Sequence, residues 1–318
     1  MFDRIKQIFN NEKSQNTGAN YGVNVSVEEL MNQKEFCGNI QKSSHKIKSV
    51  TSRSGEYKSP FKGRGMEFEE VRLYNQGDDI RAIDWRVTAR TGKPHTKLFQ
   101  EEKERPVYIL TDMRNTMRFS TKNEFKSVMA AKISSIIGWN SLKNGDKIGG
   151  IVISPNNYVK LSPQKQRKRL LAYFTALANA SKDSHNQDKY KLSHALAELR
   201  RVVKSGALVY VLSDFYDFDK EAQRQLSHIS KHNDCAMIYV HDLIEDKAPP
   251  AGIYRVSDGN NISTINTADK KWCEEYNSFF AEKYENLKNY AMLRKIKFIK
   301  IRTDEEVKDL FQSANKSL

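Results

Sequence analysis

The feature that most constrains the fold is a pair of runs that are apolar throughout, ALVYVL at 207–212 and AMIYV at 236–240. A strand without polar alternation is buried on both faces, which is typical of a parallel sheet covered by helices. Helix-length segments separate these runs from each other and from further strand-like runs at 107–112 and 295–304. Alternating strands and helices favour an α/β domain with a doubly wound, mostly parallel sheet over residues 106–318.

The spacing of apolar residues also predicts individual elements of this domain. A helix is expected within 122–145, where apolar residues recur three and four positions apart. Runs at 147–154 and 157–162 flank a Pro-Asn-Asn turn and predict a β-hairpin. Further helices are expected over 164–180, 190–204, 218–231, 269–294 and 305–314.

The first 105 residues have a different character. Residues 1–24 are expected to form a flexible or amphipathic N-terminal arm, because apolar residues at helical spacing precede a polar, turn-rich stretch. A weak peripheral membrane contact through this arm is one alternative. Residues 25–105 are expected to form an irregular N-terminal lobe, in which Ser26 and Glu29 have the spacing of a capping box.

Charge and cysteine content limit the class of protein and its location. The net charge of +14 either belongs simply to a basic, soluble surface or suits an acidic partner, which could be nucleic acid, an anionic membrane face or an acidic protein. No run approaches the roughly 18 apolar residues of a transmembrane helix, and the first residues include Asp3 and no apolar core of a signal peptide. Three widely spaced cysteines without a CxxC motif favour a reducing compartment, so the predicted location is cytoplasmic.

Acidic residues stand where the predicted parallel strands end. Asp112, Asp214 and Asp242 each close or follow an apolar run, and the binding crevice of an open α/β sheet lies beyond the carboxyl ends of its strands. The alternative for Asp112 and Asp214 is that they simply cap the helices that follow.

Residues 72–91, RLYNQGDDIRAIDWRVTART, concentrate charge around a single tryptophan. The block consists of Arg72, Tyr74, Gly77, Asp78, Asp79, Arg81, Asp84, Trp85 and Arg90. No acid–base or nucleophile pair stands out, and the many acids disfavour a phosphate track. We therefore expect a structural element, which a partner also contacts: a turn at Gly77, an aspartate cap, Arg81 or Arg86 paired with an acid, and a buried Trp85. A nucleic-acid surface and an enzyme of unknown type stay open as alternatives.

The block and the later strands together resemble a known bacterial family. The string GDDIRAIDW, the strand ALVYVLSDF and the segment YVHDLIEDKAPPAGIYRVSDG are similar to the family of unknown function called DUF58. This resemblance implies a von Willebrand factor A-like domain. It also implies a non-enzymatic adaptor that acts with a MoxR-type AAA+ ATPase in the assembly or maturation of a protein complex.

The resemblance raises the question of a metal, because typical von Willebrand A domains hold a divalent ion with a D-x-S-x-S turn. Here Asp112, Thr116 and Asp214 match that pattern, whereas Arg114 replaces the first serine. Lys189 and Tyr190 stand where a further hydroxyl is implied. A guanidinium has no lone pair for a cation. The sequence therefore predicts a degenerate metal site without Mg²⁺, Mn²⁺ or another cofactor, in which Arg114 bridges Asp112 and Asp214.

Overall fold

The computed structural model describes residues 22–38, 58–59, 66–76, 78–101, 105–183, 187–257 and 262–307. The chain divides into two compact units, one formed by Thr51–Glu104 and the other by Met1–Val50 together with Arg105–Leu318. We refer to these as the small unit and the sheet unit. The predicted arm at 1–24 and the predicted last helix at 305–314 lie almost entirely outside the described residues.

The strands of the described residues are numbered in chain order. They are β1 (Lys58–Ser59), β2 (Met66–Leu73), β3 (His95–Glu101), β4 (Pro106–Asp112), β5 (Lys147–Ile153), β6 (Tyr158–Gln164), β7 (Leu208–Ser213), β8 (Asp234–His241), β9 (Ile253–Ser257), β10 (Ile262–Asn266) and β11 (Lys297–Arg302).

The α-helices are numbered in the same way. They are α1 (Val27–Asn32), α2 (Trp85–Thr91), α3 (Lys126–Lys143), α4 (Arg167–Lys182), α5 (Leu192–Val202), α6 (Lys220–Ser230) and α7 (Lys270–Leu293).

The sheet unit contains a six-stranded sheet in the order β11-β8-β7-β4-β5-β6. All neighbouring strands are parallel except β6, which runs antiparallel to β5 as the predicted hairpin. The central strands β4 and β7 are buried almost throughout, because their apolar side chains face helices on both sides. A mixed α/β fold with a mostly parallel sheet is therefore confirmed.

Two hydrophobic clusters lie on the two faces of this sheet. One cluster includes side chains from α1, α3 and α4, and the other includes side chains from α5, α6 and α7. Helices α3 and α4 approach closely at Gly138, where an added Cβ would lie 2.5 Å from Leu170 Cδ1. A second, separate two-stranded antiparallel sheet joins β9 and β10.

Helix α1 belongs to the sheet unit, which differs from the predicted lobe boundary at residue 25. Its predicted capping box is confirmed, since Ser26 Oγ accepts from the Glu29 amide at 3.1 Å and Glu29 accepts from the Ser26 amide at 2.7 Å. Leu30 is fully buried against the sheet unit, and its carbonyl accepts a hydrogen bond from Trp139 Nε1 at 3.2 Å. The apolar face of α1 thus has its partner beyond residue 105, which the local sequence did not indicate.

The small unit holds a three-stranded antiparallel sheet in the order β1-β3-β2. A short 3-10 helix, Ile80–Ala82, and then α2 connect β2 to β3. Helix α2 ends at Gly92, whose φ of 69° places it in the left-handed region that suits glycine at a helix terminus.

Candidate functional site

Three acidic side chains meet at the carboxyl edge of the six-stranded sheet. Asp112 ends β4, Asp214 follows β7 and Asp242 follows β8, and these strands are direct neighbours in the sheet. All three side chains are buried, with at most 1% of each residue exposed. A buried carboxylate is costly unless it is paired or hydrogen-bonded, so the partners of these acids define the site.

Arg114 is the partner of Asp112. Its Nε donates to Asp112 Oδ1 at 2.9 Å and its Nη2 to Asp112 Oδ2 at 2.8 Å, while Nη1 and Nη2 donate to the two oxygens of Asp217 at 2.7 and 2.8 Å. Ser213 Oγ adds a hydrogen bond to Asp112 Oδ2 at 2.7 Å. Burial opposes the charge on Arg114, but the attraction of Asp112 and Asp217 outweighs it and raises the pKa of the guanidinium. One buried arginine therefore bridges two carboxylates, both in bidentate geometry.

The predicted bridge from Arg114 to Asp112 is confirmed, whereas the predicted bridge to Asp214 is wrong. Asp217 takes that place because it lies four residues beyond β7, on the turn that leads to α6. Asp217 Oδ2 also accepts from the Leu192 amide at the start of α5. The arginine thus connects the turn after β4 with the turn after β7 and, through Asp217, with α5.

Asp214 is neutralised by Lys126, the first residue of α3. Lys126 Nζ donates to Asp214 Oδ2 at 2.8 Å and to Glu245 Oε1 at 3.1 Å, and Thr116 Oγ1 donates to Asp214 Oδ1 at 3.3 Å. Burial raises the pKa of Asp214, but Lys126 more than reverses this and lowers it to about 2. Burial likewise opposes the charge on Lys126, and the attraction of Asp214 and Glu245 raises its pKa overall.

Sequence reasoning missed Lys126, although a signal was present. A cation in the first turn of a helix faces the positive end of the helix dipole and is unfavourable there without a specific partner. Glu245 was also missed, because its only local role is in a capping box with Asp242. That box shows that Asp242 caps the 3-10 turn after β8.

Asp242 is satisfied by hydroxyl and amide donors. Thr303 Oγ1 donates to Asp242 Oδ2 at 2.6 Å and Thr121 Oγ1 to Asp242 Oδ1 at 2.7 Å, with the Thr121 amide at 2.9 Å. Burial raises the pKa of Asp242, but these hydrogen bonds lower it overall. Asp242 therefore ties the start of the 3-10 turn to the loops after β4 and β11.

Lys283 of α7 reaches the same edge of the sheet. Its Nζ is buried without a hydrogen-bond partner among the described residues, 5.4 Å from the ring centroid of Tyr239 and 5.6 Å from that of Tyr216. Burial lowers the pKa of Lys283, against the attraction of Glu245 and Asp214. No local pattern in α7 marks this lysine, because a single lysine on a long helix is ordinarily solvated.

The loop before α5 closes the site around Arg114. The Tyr190 carbonyl accepts from Arg114 Nη1 at 3.3 Å, and the Tyr190 ring packs edge-on against Tyr158. Lys189 Nζ lies over the Tyr190 ring at 5.4 Å. Asp188 Oδ1 accepts from the Asn115 amide at 3.1 Å, and burial raises its pKa to about 6. Tyr190 thus contributes a carbonyl to the site, and Lys189 contributes a cation–π contact.

These residues do not fit a divalent cation. Such an ion needs oxygen ligands that face it, but the oxygens of Asp112 and Asp214 face Arg114 and Lys126. A divalent ion 4 Å from either fixed charge would be repelled by roughly 8 kcal/mol at an effective dielectric constant of about 20. Among the described residues, no group of three or more His, Cys, Asp or Glu side chains is arranged to hold a metal ion. The edge of the sheet holds two buried ion-pair clusters, Arg114 with Asp112 and Asp217, and Lys126 with Asp214 and Glu245. Together we call them the ion-pair network.

The charged block of the small unit is organised by its acids. Asp78 accepts from Arg72 Nη2 at 2.7 Å and from the Asn75 amide at 2.9 Å. Asp79 caps the 3-10 helix by accepting from the Arg81 amide at 2.9 Å. The prediction that Asp78 or Asp79 caps the following turn is therefore confirmed, while Gly77 lies outside the described residues.

Helix α2 begins at Trp85 because Asp84 caps it. Asp84 Oδ1 accepts from the Arg86 and Val87 amides at 3.0 and 3.2 Å, and Lys97 Nζ lies 3.4 Å from Asp84 Oδ2. The acids of the block thus pair with Arg72 and Lys97, and the predicted ion pairs of Arg81 or Arg86 with an acid do not occur among the described residues.

Trp85 is not a core residue, contrary to the prediction. Its side chain is 67% exposed, and Ile80 is 64% exposed. The arginines Arg81, Arg86 and Arg90 are exposed as well. The apolar residues of the block that turn inward are smaller, such as Ala82 at 8% exposure. Tyr74 is half-buried, and its amide donates to the Pro94 carbonyl at 2.9 Å.

The molecule is thus an α/β protein with a closed ion-pair network at the carboxyl edge of its sheet and a small β unit that exposes a tryptophan. The family described as protein of unknown function DUF58 matches residues 70–286, more than half of the 318 residues. The chain belongs to this family.

A relative with a similar sequence is itself described as uncharacterised. An uncharacterised protein of Mycobacterium tuberculosis is 25% identical over 198 residues, which are 62% of this chain and 62% of that protein. The match therefore spans less than two thirds of the length of this relative.

Two solved structures of Bacteroides proteins are also similar, each with 15% identity and a TM-score of 0.41. The conserved hypothetical protein BatB from Bacteroides thetaiotaomicron is covered to 94% by 64% of this chain. An aerotolerance-related membrane protein from Bacteroides fragilis is covered to 97% by 67% of this chain.

The cytoplasmic location predicted from the sequence does not agree with this comparison, in which the Bacteroides fragilis protein is described as a membrane protein. None of the helices in the described part of the chain combines the length and apolar character needed to cross a bilayer.

Proposed function

We propose that the protein is a non-enzymatic adaptor that binds a protein partner through the exposed side chains of the small unit. The observation that carries this proposal is the exposure of Trp85 and Ile80. Tryptophan and arginine dominate the binding energy of protein interfaces, and here Arg81 and Arg86 are exposed beside them in the chain.

The acids of the block support this proposal. Asp78, Asp79 and Asp84 are occupied by amides and by two cations within the small unit. They hold the backbone around Trp85 fixed, which reduces the entropy lost on binding. Arg81 and Arg86 form no ion pair with another residue that the structure describes, and they leave a positive surface that suits an acidic protein partner.

For the sheet unit we propose a von Willebrand factor A-like domain whose metal site has become an ion-pair network. Its strand order, its mostly parallel sheet and the position of Asp112 after the first strand support this proposal. A partner would then be bound without a divalent ion, because Arg114 and Lys126 already neutralise the acids at the sheet edge.

The partner that the family resemblance favours is a MoxR-type AAA+ ATPase, with assembly or maturation of a protein complex as the task. The test is surface plasmon resonance with a MoxR-type ATPase from the same genome immobilised. Wild type should bind equally in Mg²⁺ and in EDTA. Trp85→Ala should weaken binding at least tenfold, about 1.4 kcal/mol, as expected for a hot-spot residue.

The matched control is Ile253→Ala, which removes an equally exposed apolar side chain on β9. It should leave ATPase binding unchanged. Equal binding by wild type and Trp85→Ala would show that the ATPase does not bind through the surface around Trp85. A labelled single-stranded oligonucleotide that binds wild type, and not Trp85→Ala, would assign the block to nucleic acid instead.

A further inference from the structure

The amino edge of the six-stranded sheet is opposite to the ion-pair network, and its surface chemistry is different. Helices α5, α6 and α7 pack on one face of the sheet and end next to the starts of β7, β8 and β11, respectively. Their last residues therefore lie at one end of the sheet. We call this the helix-end surface and define it by Val202, Lys204, Lys231, Met292, Leu293 and Lys295.

The three helix ends are direct neighbours in space. The ends of α5 and α6 line a shallow cavity of about 230 Å³, to which Arg200, His228 and His232 contribute. The end of α7 is fixed to α6, because Tyr290 and Arg294 hydrogen-bond to Ser227 at 2.9 and 2.5 Å. The helix-end surface is therefore one continuous strip.

The strip is strongly positive. Lys204, Lys231 and Lys295 are exposed, and none of them forms an ion pair with another described residue. The nearby acids are already engaged, Glu198 with Lys160 and Arg201, and Asp234 with Arg105. Cations at helix C-termini complement the helix dipole, which accounts for part of this charge but not for the apolar residues beside it.

Those apolar residues point to the partner. Leu293 is 76% exposed, Met292 66% and Val202 39%. Met292 and Leu293 are adjacent, exposed and apolar, and lysines surround them. Proteins that bind the lipid headgroup layer have this composition, with apolar side chains at the boundary to the acyl chains and basic side chains near the headgroups. A single-stranded nucleic acid would be bound by aromatic stacking instead, and the exposed apolar side chains of the strip, Val202, Met292 and Leu293, are not aromatic.

We infer that the helix-end surface docks on an anionic membrane, with Met292 and Leu293 inserted between headgroups and the lysines near the lipid phosphates. This inference does not depend on the proposed adaptor function, since no residue of the small unit takes part. The attraction should weaken as salt is added, because the charges act in water over about a Debye length.

The test is co-sedimentation of the full chain with vesicles. Vesicles of phosphatidylcholine and phosphatidylglycerol at about three to one should bind the protein, and phosphatidylcholine alone should not. Changing Lys204, Lys231 and Lys295 together to Gln should lower the partition coefficient on the order of a hundredfold, from about 1 kcal/mol per lysine. The double variant Met292→Ser/Leu293→Ser should also lose binding.

The matched control changes Lys122, Lys220 and Lys247 to Gln, because these exposed lysines lie at the opposite, carboxyl edge of the sheet. It alters the net charge by the same amount and should bind vesicles like wild type. Equal losses in both triple variants, or no binding of wild type to anionic vesicles at low salt, would overturn the inference.

Two other outcomes also contradict it. Vesicle binding that survives the changes at the helix-end surface would place membrane contact elsewhere, for example in residues 1–24. Binding of a labelled oligonucleotide in place of vesicles, lost in the same lysine variant, would make the strip a nucleic-acid surface. Thermal melts that match wild type confirm that each variant is folded.

Discussion

Replacing Arg114 by methionine is the perturbation whose effect the structure defines most closely. The side chain is 4% exposed and donates to both oxygens of Asp112, which is fully buried, and of Asp217. Each contact is worth roughly 4 kcal/mol of Coulomb energy for unit charges 4 Å apart at an effective dielectric constant of about 20. Most of that is offset by the desolvation of the arginine itself.

The variant loses this attraction and leaves the Asp112 carboxylate buried. Asp112 then retains only the Ser213 hydroxyl and the residue 114 amide as donors. Removing one partner of a buried ion pair typically costs about 3–5 kcal/mol, and we expect Arg114→Met to fall in this range. That would be a large part of a normal folding free energy of about 5–15 kcal/mol.

The assay is urea unfolding followed by circular dichroism, with the midpoint and the m-value fitted separately. The double variant Asp112→Asn/Arg114→Met also removes the fully buried Asp112 charge and should recover more than half of the loss. Asp217 then lacks its cation as well, but its side chain is 25% exposed and keeps the Leu192 amide as a donor. As a surface control, Arg224→Met breaks an exposed ion pair with Glu221 and should leave the midpoint almost unchanged.

A loss below about 1 kcal/mol for Arg114→Met would refute this reasoning, since it would show that Asp112 finds other donors or that water enters the site. An additive double variant would refute it as well, because the two residues would then not be coupled.

The remaining predictions concern three other side chains. Lys126→Met should destabilise the protein by about 3–5 kcal/mol in the same urea assay, since it leaves the buried Asp214 and Glu245 without their ion-pair partner. An unfolding midpoint equal to that of wild type would contradict the role of Lys126 in the ion-pair network. Trp85→Ala should melt within about 2 °C of wild type, because a mostly exposed side chain contributes little to the core. A large drop in Tm would show instead that Trp85 packs in the core. Asp188 has a pKa raised by burial from 3.8 to about 6, so folding is favoured while it is protonated and loses stability as the pH rises through that window. Asp188→Asn should therefore gain stability over wild type at about pH 7 but not at about pH 4, and an equal difference at both pH values would contradict this assignment.

The fold was largely predictable from the sequence because its signals are local. Strands β7 and β8 are short runs of apolar residues without alternation, and only a sheet covered on both faces buries them. The hairpin of β5 and β6 and the capping box at Ser26 also depend on a few neighbouring residues.

The candidate site was only partly predictable because its contacts span the chain. Arg114 and Asp217 are 103 residues apart, and Lys126 and Asp214 are 88 apart. The resemblance identified Asp112 and Arg114, but only the arrangement of the strands shows which acid each cation meets. Asp217 follows β7 on a turn where several acids are equally plausible partners by sequence.

The exposure of Trp85 was not predictable for a related reason. Tryptophan is usually largely buried, but α2 is only seven residues long and the side chain stands at its first position. Such a short helix has too few residues for a periodic pattern to show which side faces the core. Helix α1 was assigned to the wrong unit because its partner, α3, lies about 100 residues later.

The central claim is that Arg114 and Lys126 occupy the place of a divalent ion, and calorimetric titration of Mg²⁺ and Mn²⁺ tests it most directly. Wild type should show no binding heat up to about millimolar concentration, because the ion would meet both fixed charges. Arg114→Ser should show none either, since Lys126 still covers Asp214, and Tyr190 presents its backbone carbonyl to the site while its ring packs against Tyr158. Sub-millimolar binding by wild type that disappears in Asp112→Ala would contradict the claim.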